Sequence, residues 1–379
     1  MSHIALLIPG LDRIAGAERQ VILLAKGLRR RGWRVSVVAL SGSGGDSAAE
    51  LTAAGAGFLT LRMRKGLADP RGWIRFHRWL RSESPDVVHA HLPHAVWLAR
   101  WSRLAAPVRV VVDTLHSCAT GGAGRRLGYR WSGWLGDRVT AVSHTAAAAH
   151  LAARMTSAGK LAVLPNGVDV EVWRPDALVR QSVRRELGLV DECLWLAAGR
   201  LEPVKDYPTL LAAMARLPEP ARLLIAGAGP LHDELLRLCA QLGLERRVRF
   251  LGFEPNLRRW MRAADGFVLS SHWEGLPMGL LEAAACALPA VATDGPGTPE
   301  VLVDGQSGWL TPAGDPAALA EAMAWLMRTP PEERRAMGER ARQLAIERFS
   351  LEAILDRWEA LYRDLLRRNP RPARWGRAD

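Results

Sequence analysis

Residues 195–226 read WLAAGRLEPVKDYPTLLAAMARLPEPARLLIA. Trp195–Gly199 is an apolar run of strand length. Asp206–Ala215 carries apolar residues at helical spacing. Arg222–Ala226 is a second short apolar run. Strand, helix and strand in this order place two parallel strands side by side under a covering helix. The same rhythm continues through strands at Val248–Leu251, Gly266–Leu269, Ala290–Ala292 and Gly308–Leu310, with helices at Leu231–Leu242, Asn256–Ala263 and Pro316–Met327. Upstream it repeats. Strands are expected at Ile4–Ile8, Val35–Leu40, Gly57–Leu61, Val87–Ala90, Val108–Asp113, Val139–Val142 and Leu161–Leu164, and helices at Ala17–Arg31, Gly72–Arg81 and Ala95–Ala105. Buried strands alternating with helices imply an α/β chain of two doubly wound, Rossmann-like domains facing across a cleft. The pattern breaks near Asn166–Pro175. The expected divisions are a first domain at 1–168, a second at 169–345, a helix at 346–368 and a loose tail at 369–379. In the last helix Ile354, Leu355, Trp358, Leu361, Tyr362 and Leu365 recur at helical spacing. That stripe is expected to pack back toward the first domain.

With 379 residues, 49% of them hydrophobic, both domains can bury a core. No apolar run reaches 18 residues, so no membrane-spanning helix is expected. Met1–Gly10 reads as a first strand, not a signal peptide. The four cysteines, Cys118, Cys193, Cys239 and Cys286, are scattered. They favour a reducing cytoplasm over a disulfide framework. His89 and His91 form an HxH without a third ligand, so no metal site is expected. Charge is uneven. Residues 1–165 hold 23 Lys and Arg against 9 Asp and Glu, a net of +14, whereas residues 166–345 net −4. A basic first half suits nucleic acid or an anionic membrane surface.

In open α/β sheets, ligands bind beyond the carboxyl ends of the strands, and the cleft between two such domains is the expected site. Arg200 and Lys205 follow the strand Trp195–Gly199, where a diphosphate would meet a guanidinium fork and a point charge. Lys205 is one of only four lysines against 47 arginines. Glu274 and Glu282 flank Leu276, Pro277, Met278 and Gly279, a loop running into a helix-forming stretch, Leu280 to Ala287. Free N–H groups at a helix start bind anions, and carboxylates accept hydrogen bonds from vicinal hydroxyls. The alternative is a solvated helix start whose acids complement the dipole. Gly16 opens the first helix after Pro9-Gly10, where phosphate or sugar can approach the backbone, or it is a turn glycine only. His116 lies just past a strand end, within reach of a reacting sugar or buried and satisfied. Gly227–Pro230 and Gly252-Phe253 are strand-end turns, the second able to present backbone to a base edge. Gly295–Val301 reads as a structural turn.

The ordered set resembles the family 4 retaining glycosyltransferases of the GT-B fold (glycosyl transferases group 1). The matching residues are Gly16-Ala17-Glu18-Arg19, Pro85–His91, Pro165-Asn166-Gly167-Val168-Asp169, Gly199-Arg200 through Lys205-Asp206, Gly227–Pro230 and Glu274–Glu282. The family usually carries a second glycine before the Gly-Ala-Glu-Arg run; Ala15 stands there. The resemblance implies a hexosyltransferase acting on a nucleoside-diphosphate sugar, with a UDP-sugar favoured over GDP-mannose, and no cofactor or metal. Arg200 and Lys205 would bind the donor diphosphate, Glu282 the ribose and Glu274 the donor sugar. His116 would touch the sugar near the reacting carbon, and Gly16 the phosphate or acceptor. Gly252, Phe253 and the 276–279 loop would complete the nucleotide site. The implied acceptor is a glycan or lipid-linked saccharide in bacterial surface polysaccharide assembly.

Two stretches interleave aromatics with arginine, Arg71–Arg81 and Arg125–Trp134. Each is either a helix packing its aromatics on the sheet or a peripheral contact with the anionic inner face of the cytoplasmic membrane. Two further readings stand beside transfer: a sugar-nucleotide epimerase on the same fold, and a basic nucleic-acid-binding protein. No nucleic-acid-binding motif accompanies the charge, so nucleic acid is not the expected partner.

Overall fold

A computed structural model describes residues 1–12, 15–64, 69–106 and 108–370. The first part of the chain runs β1 (His3–Ile8), α1 (Gly16–Arg30), β2 (Arg34–Ala39), α2 (Gly45–Ala53), β3 (Gly57–Thr60), α3 (Pro70–Glu83), β4 (Val87–His91), α4 (Pro93–Ser102), β5 (Val110–Leu115), α5 (Ala123–Ser132), β6 (Arg138–Ala141), α6 (His144–Ala152) and β7 (Leu161–Val163). The second runs α7 (Ala177–Glu186), β8 (Cys193–Ala198), α8 (Tyr207–Arg216), β9 (Ala221–Ala226), α9 (His232–Gln241), β10 (Val248–Gly252), α10 (Leu257–Ala263), β11 (Gly266–Leu269), α11 (Met278–Ala285), β12 (Ala290–Thr293), β13 (Gly308–Thr311), α12 (Pro316–Arg328) and α13 (Pro331–Phe349). The last helix is α14 (Leu351–Arg368).

The strands form two sheets, ordered β3-β2-β1-β4-β5-β6-β7 and β10-β9-β8-β11-β12-β13, and each pair within them is parallel. β1, β4 and β5 are buried along their whole length, as strands covered on both faces must be. In both sheets the order reverses beside the first strand, at β1/β4 and at β8/β11. A ligand site is expected beyond the strand ends at such a reversal. The helix starts follow local chemistry. Asp69, Ser143, Asp176 and Asp315 cap α3, α6, α7 and α12 by accepting first-turn N–H groups.

Two compact units result. The first comprises residues 1–167 and 351–379, the second 168–350. The last helical stretch, read over 351–368, is α14, and only the division drawn at 346 is corrected. Ser350 is extended (φ −57°, ψ 141°), so 346–349 end α13 in the second unit and α14 returns to the first. α14 packs on α1 so tightly that a Cβ added to Gly27 would lie 2.4 Å from Leu355 Cδ1. Ile354, Leu355, Trp358 and Tyr362 join the core beneath β1. Burying each such side chain contributes about 1.5–3 kcal/mol. At the rim, Arg31 bonds Glu352 (2.6 Å), Asp356 (2.5 Å) and Glu359 (2.9 Å). The expected loose tail falls, from 371 onward, outside the described residues.

α13 was not foreseen. It buries Met337, Gly338, Ala341, Ala345 and Phe349, and a Cβ on Gly338 would sit 2.0 Å from the Ala287 carbonyl. A face built from glycine and alanine packs closely but leaves a weak apolar signal in the sequence. The helix expected at Leu280–Ala287 starts two residues earlier, with Pro277 at its N-cap. Proline lacks an N–H, so that position costs no backbone bond.

Candidate active site

In the second unit, the segments after β8 and β11 meet at the point where strand order reverses. Lys205 ends a short 3-10 turn, Pro203–Lys205. Its ammonium is ion-paired with Glu274 Oε1, the side chains being 19% and 13% exposed. Ser271 Oγ donates to the same oxygen at 2.7 Å. The backbones are also joined: Ser270 Oγ donates to the Lys205 carbonyl (2.7 Å) and His272 N–H to the Val204 carbonyl (2.9 Å). Glu274 N–H donates to the Pro296 carbonyl at 2.8 Å. Gly297, at φ +89°, passes where a Cβ would stand 2.6 Å from the Glu274 carbonyl. The Gly295–Val301 turn is thus the clamp behind Glu274. Sequence reasoning did not find Ser270 or Ser271, because short hydroxyl residues after a strand carry no distinctive pattern.

Arg200 lies one residue past Gly199, with its side chain 65% exposed and 2.6 Å from Glu202. The expectation placed both cations within reach of a diphosphate, and the structure adds a carboxylate beside each, Glu202 for Arg200 and Glu274 for Lys205. Gly227 and Gly229 support the Arg200 segment, since added Cβ atoms would fall 1.8 Å from the Gly199 carbonyl and 2.4 Å from that of Leu201. Gly227 N–H reaches the Gly252 carbonyl at 2.8 Å. Gly252 itself adopts φ +69°, and the adjoining Phe253 ring is 70% exposed. α11 starts against the end of β8: an added Cβ on Gly279 would be 3.4 Å from the Ala198 carbonyl. No side chain caps this helix start. Leu276 and Pro277 are buried behind it, Met278 and Gly279 are half-buried, and half-buried Glu282 stands in the helix four residues after Met278.

The first unit holds Gly16 and His116. Gly16 is the first residue of α1. The preceding Ala15 has no oxygen to cap the helix, and only the return bond exists, Ala15 N–H to Glu18 Oε2 at 3.2 Å. One turn on, Gln20 grips Gly167 through both its carbonyl (2.8 Å) and its N–H (2.9 Å). His116 Nε2 faces His91 Nδ1 at 2.9 Å. Both line a cavity of about 20 Å³ with Thr114, Gln20 and Asn166. His116 Nδ1 and His91 Nε2 are enclosed without a protein partner. Burial lowers the His116 pKa to about 4, so its imidazole is neutral at physiological pH. Burial also holds His89 and His91 well below the usual range, helped by neighbouring histidines. Among the described residues no cluster of three His, Cys, Asp or Glu is placed to hold a metal ion.

His89 is fixed by a chain whose proton directions follow from one carbonyl. Thr140 Oγ1 donates to the Asp113 carbonyl (3.1 Å), so it accepts from Thr114 Oγ1 (2.7 Å). Thr114 therefore accepts from His89 Nε2 (2.6 Å), and His89 Nδ1 accepts from the Tyr362 hydroxyl (2.7 Å). Tyr362→Phe would orphan a buried acceptor and should cost about 1–3 kcal/mol. Urea unfolding measures this directly, and an unchanged midpoint would refute the bond between Tyr362 and His89. The buried Arg100–Asp113 pair (2.7 Å) completes the polar floor beneath these strands.

Residues 14–172 match the family model Glycosyltransferase Family 4, and residues 179–344 match Glycosyl transferases group 1. The N-acetyl-α-D-glucosaminyl L-malate synthase of Bacillus anthracis is 30% identical over 75% of this chain and 76% of its own length. This chain belongs to the family 4, group 1 glycosyltransferases. The D-inositol 3-phosphate glycosyltransferase of Mycolicibacterium smegmatis is 29% identical to this glycosyltransferase over 96% of the chain and 91% of its own length. The Anabaena protein HepE, solved in complex with UDP-glucose, shares the fold at a TM-score of 0.84 with 22% identity, covering 96% of the glycosyltransferase and 100% of HepE. The enzyme's two parallel-sheet units are the Rossmann-like halves of GT-B proteins. Among the described residues no helix is long and apolar enough to cross a membrane.

Proposed function

We propose that this glycosyltransferase moves a hexosyl unit from a UDP-sugar to a glycan or lipid-linked saccharide, without a metal and with retention of configuration, in surface polysaccharide assembly. The observation that carries the reading is the Lys205–Glu274 contact at the β8/β11 reversal, beside Arg200 and the uncapped start of α11. Arg200 and Lys205 stabilise the charge that develops on the departing diphosphate. Helix N–H groups at 278–279 take further phosphate oxygens. Glu282 accepts from the ribose hydroxyls, and Gly252 and Phe253 meet the base. Glu274, oriented by Lys205 and Ser271, accepts from a donor-sugar hydroxyl and is not assigned a covalent role. As the anomeric bond breaks, the acceptor hydroxyl enters from the side the diphosphate leaves, and the leaving phosphate takes its proton. His116 presents a neutral imidazole to the sugar, and Gly16 its helix start to phosphate or acceptor. A UDP complex of HepE, and a relative named UDP-Gal:α-D-GlcNAc-diphosphoundecaprenol α-1,3-galactosyltransferase in Escherichia coli, 24% identical, support the choice of UDP and of a saccharide acceptor.

Thermal denaturation with UDP, UDP-sugars and GDP-mannose tests the donor. A ligand at a hundred times its Kd adds about 2.7 kcal/mol and raises Tm. UDP compounds should do so and GDP-mannose should not; the reverse order would refute the base. NMR of the product from an α-configured donor should show an α linkage, unchanged by EDTA. A β product would reject retention, and loss of activity in EDTA would reject metal independence.

A further inference from the structure

The two arginine-aromatic stretches have different fates in the structure. α3 buries Phe76 and Leu80, and its Trp73 and Trp79 pack on the same core. Its aromatics pack on the fold, and among the described residues Ile74, 51% exposed, is the one large apolar side chain that α3 leaves in solvent. α5 buries only Tyr129 and Ser132. Leu127 and Trp131, four residues apart on one helix face, are 52% and 71% exposed, and Trp134 on the following turn is 66% exposed. Arg125, Arg126 and Arg130 are exposed on the same helix. Among the described residues no carboxylate pairs with any of the three; the one side-chain bond they make is Arg126 to the Gly121 carbonyl, 2.8 Å. From Val87 to Gly136 the sole acidic residue is Asp113, and it is buried against Arg100. α4 packs beside α5 and exposes Trp101 at its end.

We infer that α5 and the turn after it are a docking surface for an anionic lipid bilayer. A tryptophan and a leucine on a helix that also carries three unpaired cations, with a second tryptophan on the turn after it, match the interfacial zone, where indole rings settle at headgroup depth and arginines meet phosphates. A second copy of this surface would bring arginines against arginines with no carboxylate between them. The proposal extends the lipid-linked acceptor in the proposed function, but binding is measured without substrate, so the two can fail separately.

The test is co-sedimentation of the full chain with phosphatidylcholine vesicles and with mixed phosphatidylcholine–phosphatidylglycerol vesicles. The chain should partition to the anionic vesicles, less so as salt rises. Each arginine near such a surface is worth roughly fivefold, so Arg125→Gln/Arg126→Gln/Arg130→Gln should weaken partitioning on the order of a hundredfold. Trp131→Ser/Trp134→Ser should weaken it at low and high salt alike, since apolar insertion is not screened. Arg71→Gln/Arg78→Gln on α3 should change it by less than about threefold. Circular dichroism and urea unfolding of each variant, which include the first unit that carries α3 and α5, should match wild type and show that each is folded. Equal binding to neutral and anionic vesicles, absence of binding, or equal losses from α3 and α5 variants would overturn the proposal. So would α5 variants that abolish self-association or a DNA gel shift while vesicle binding stays intact.

Discussion

Lys205→Ala should lower kcat/KM for sugar transfer by roughly 10²–10³-fold, the scale seen when one preorganised charge-stabilising donor is removed. The ammonium has two jobs in the proposed mechanism. It faces the leaving diphosphate, and it fixes Glu274 Oε1 together with Ser271. Removing it also strands a carboxylate only 13% exposed, a cost in stability separate from chemistry. A double-mutant cycle distinguishes the two contributions. Lys205→Ala/Glu274→Ala should recover most of the stability lost by Lys205→Ala and none of the activity. Lys205→Arg keeps the charge but not the compact ammonium, and should stay well below wild type. Transfer within tenfold of wild type in Lys205→Ala would remove the residue from the machinery. Recovery of activity in the double variant would reduce Lys205 to a partner of Glu274.

The second large effect is on stability. The first unit should become steeply acid-labile between about pH 6.5 and pH 4. His89 and His91 are buried, and His116 is half-buried with Nδ1 enclosed. All three have pKa values depressed in the folded chain. The unfolded chain takes up protons near 6.5, while the folded chain does not until far lower. Stability is therefore complete above 6.5 and is lost as pH falls toward the folded values. Each histidine contributes a slope of up to about 1.4 kcal/mol per pH unit, so three contribute up to about 4. Burial shifts His3, His77 and His150 the same way. Native carboxylates act mainly below pH 5, so urea unfolding at pH 7, 6 and 5 isolates the histidines. A free energy of unfolding that stays level from pH 6.5 to 5 would contradict the burial of these rings. Activity should show no acid limb from His116 above pH 5.

Much of the site was legible because its residues follow one another along the chain. Gly199 through Lys205 lies within one strand-to-helix connection and Glu274 through Glu282 runs from another into the first turns of α11, and the end of a short apolar run marks where such a connection begins. The partners of these residues were not legible. Ser271 stands three residues from Glu274 and could have been weighed. Pro296 and Gly297, which hold Glu274 from behind, come from a separate connection after β12. On the other unit, Tyr362 reaches His89 from 273 residues away.

The succession of apolar runs and helical stripes determined the two parallel sheets by itself, because strands covered on both faces must be apolar throughout and the helices between them must be amphipathic. The stretches after the strands determined which residues are offered to a ligand. Tertiary structure alone decided how the charges are used. Lys205 is tied to Glu274, a pairing that depends on two loops converging where strand order reverses, and Arg200 turns back to Glu202 within its own loop. It also decided between two helices of like composition. α3 has a core to cover and packs its tryptophans there, whereas α5 lies beside α4, which already covers the sheet, and Trp131 on α5 and Trp134 on the turn after it remain in solvent.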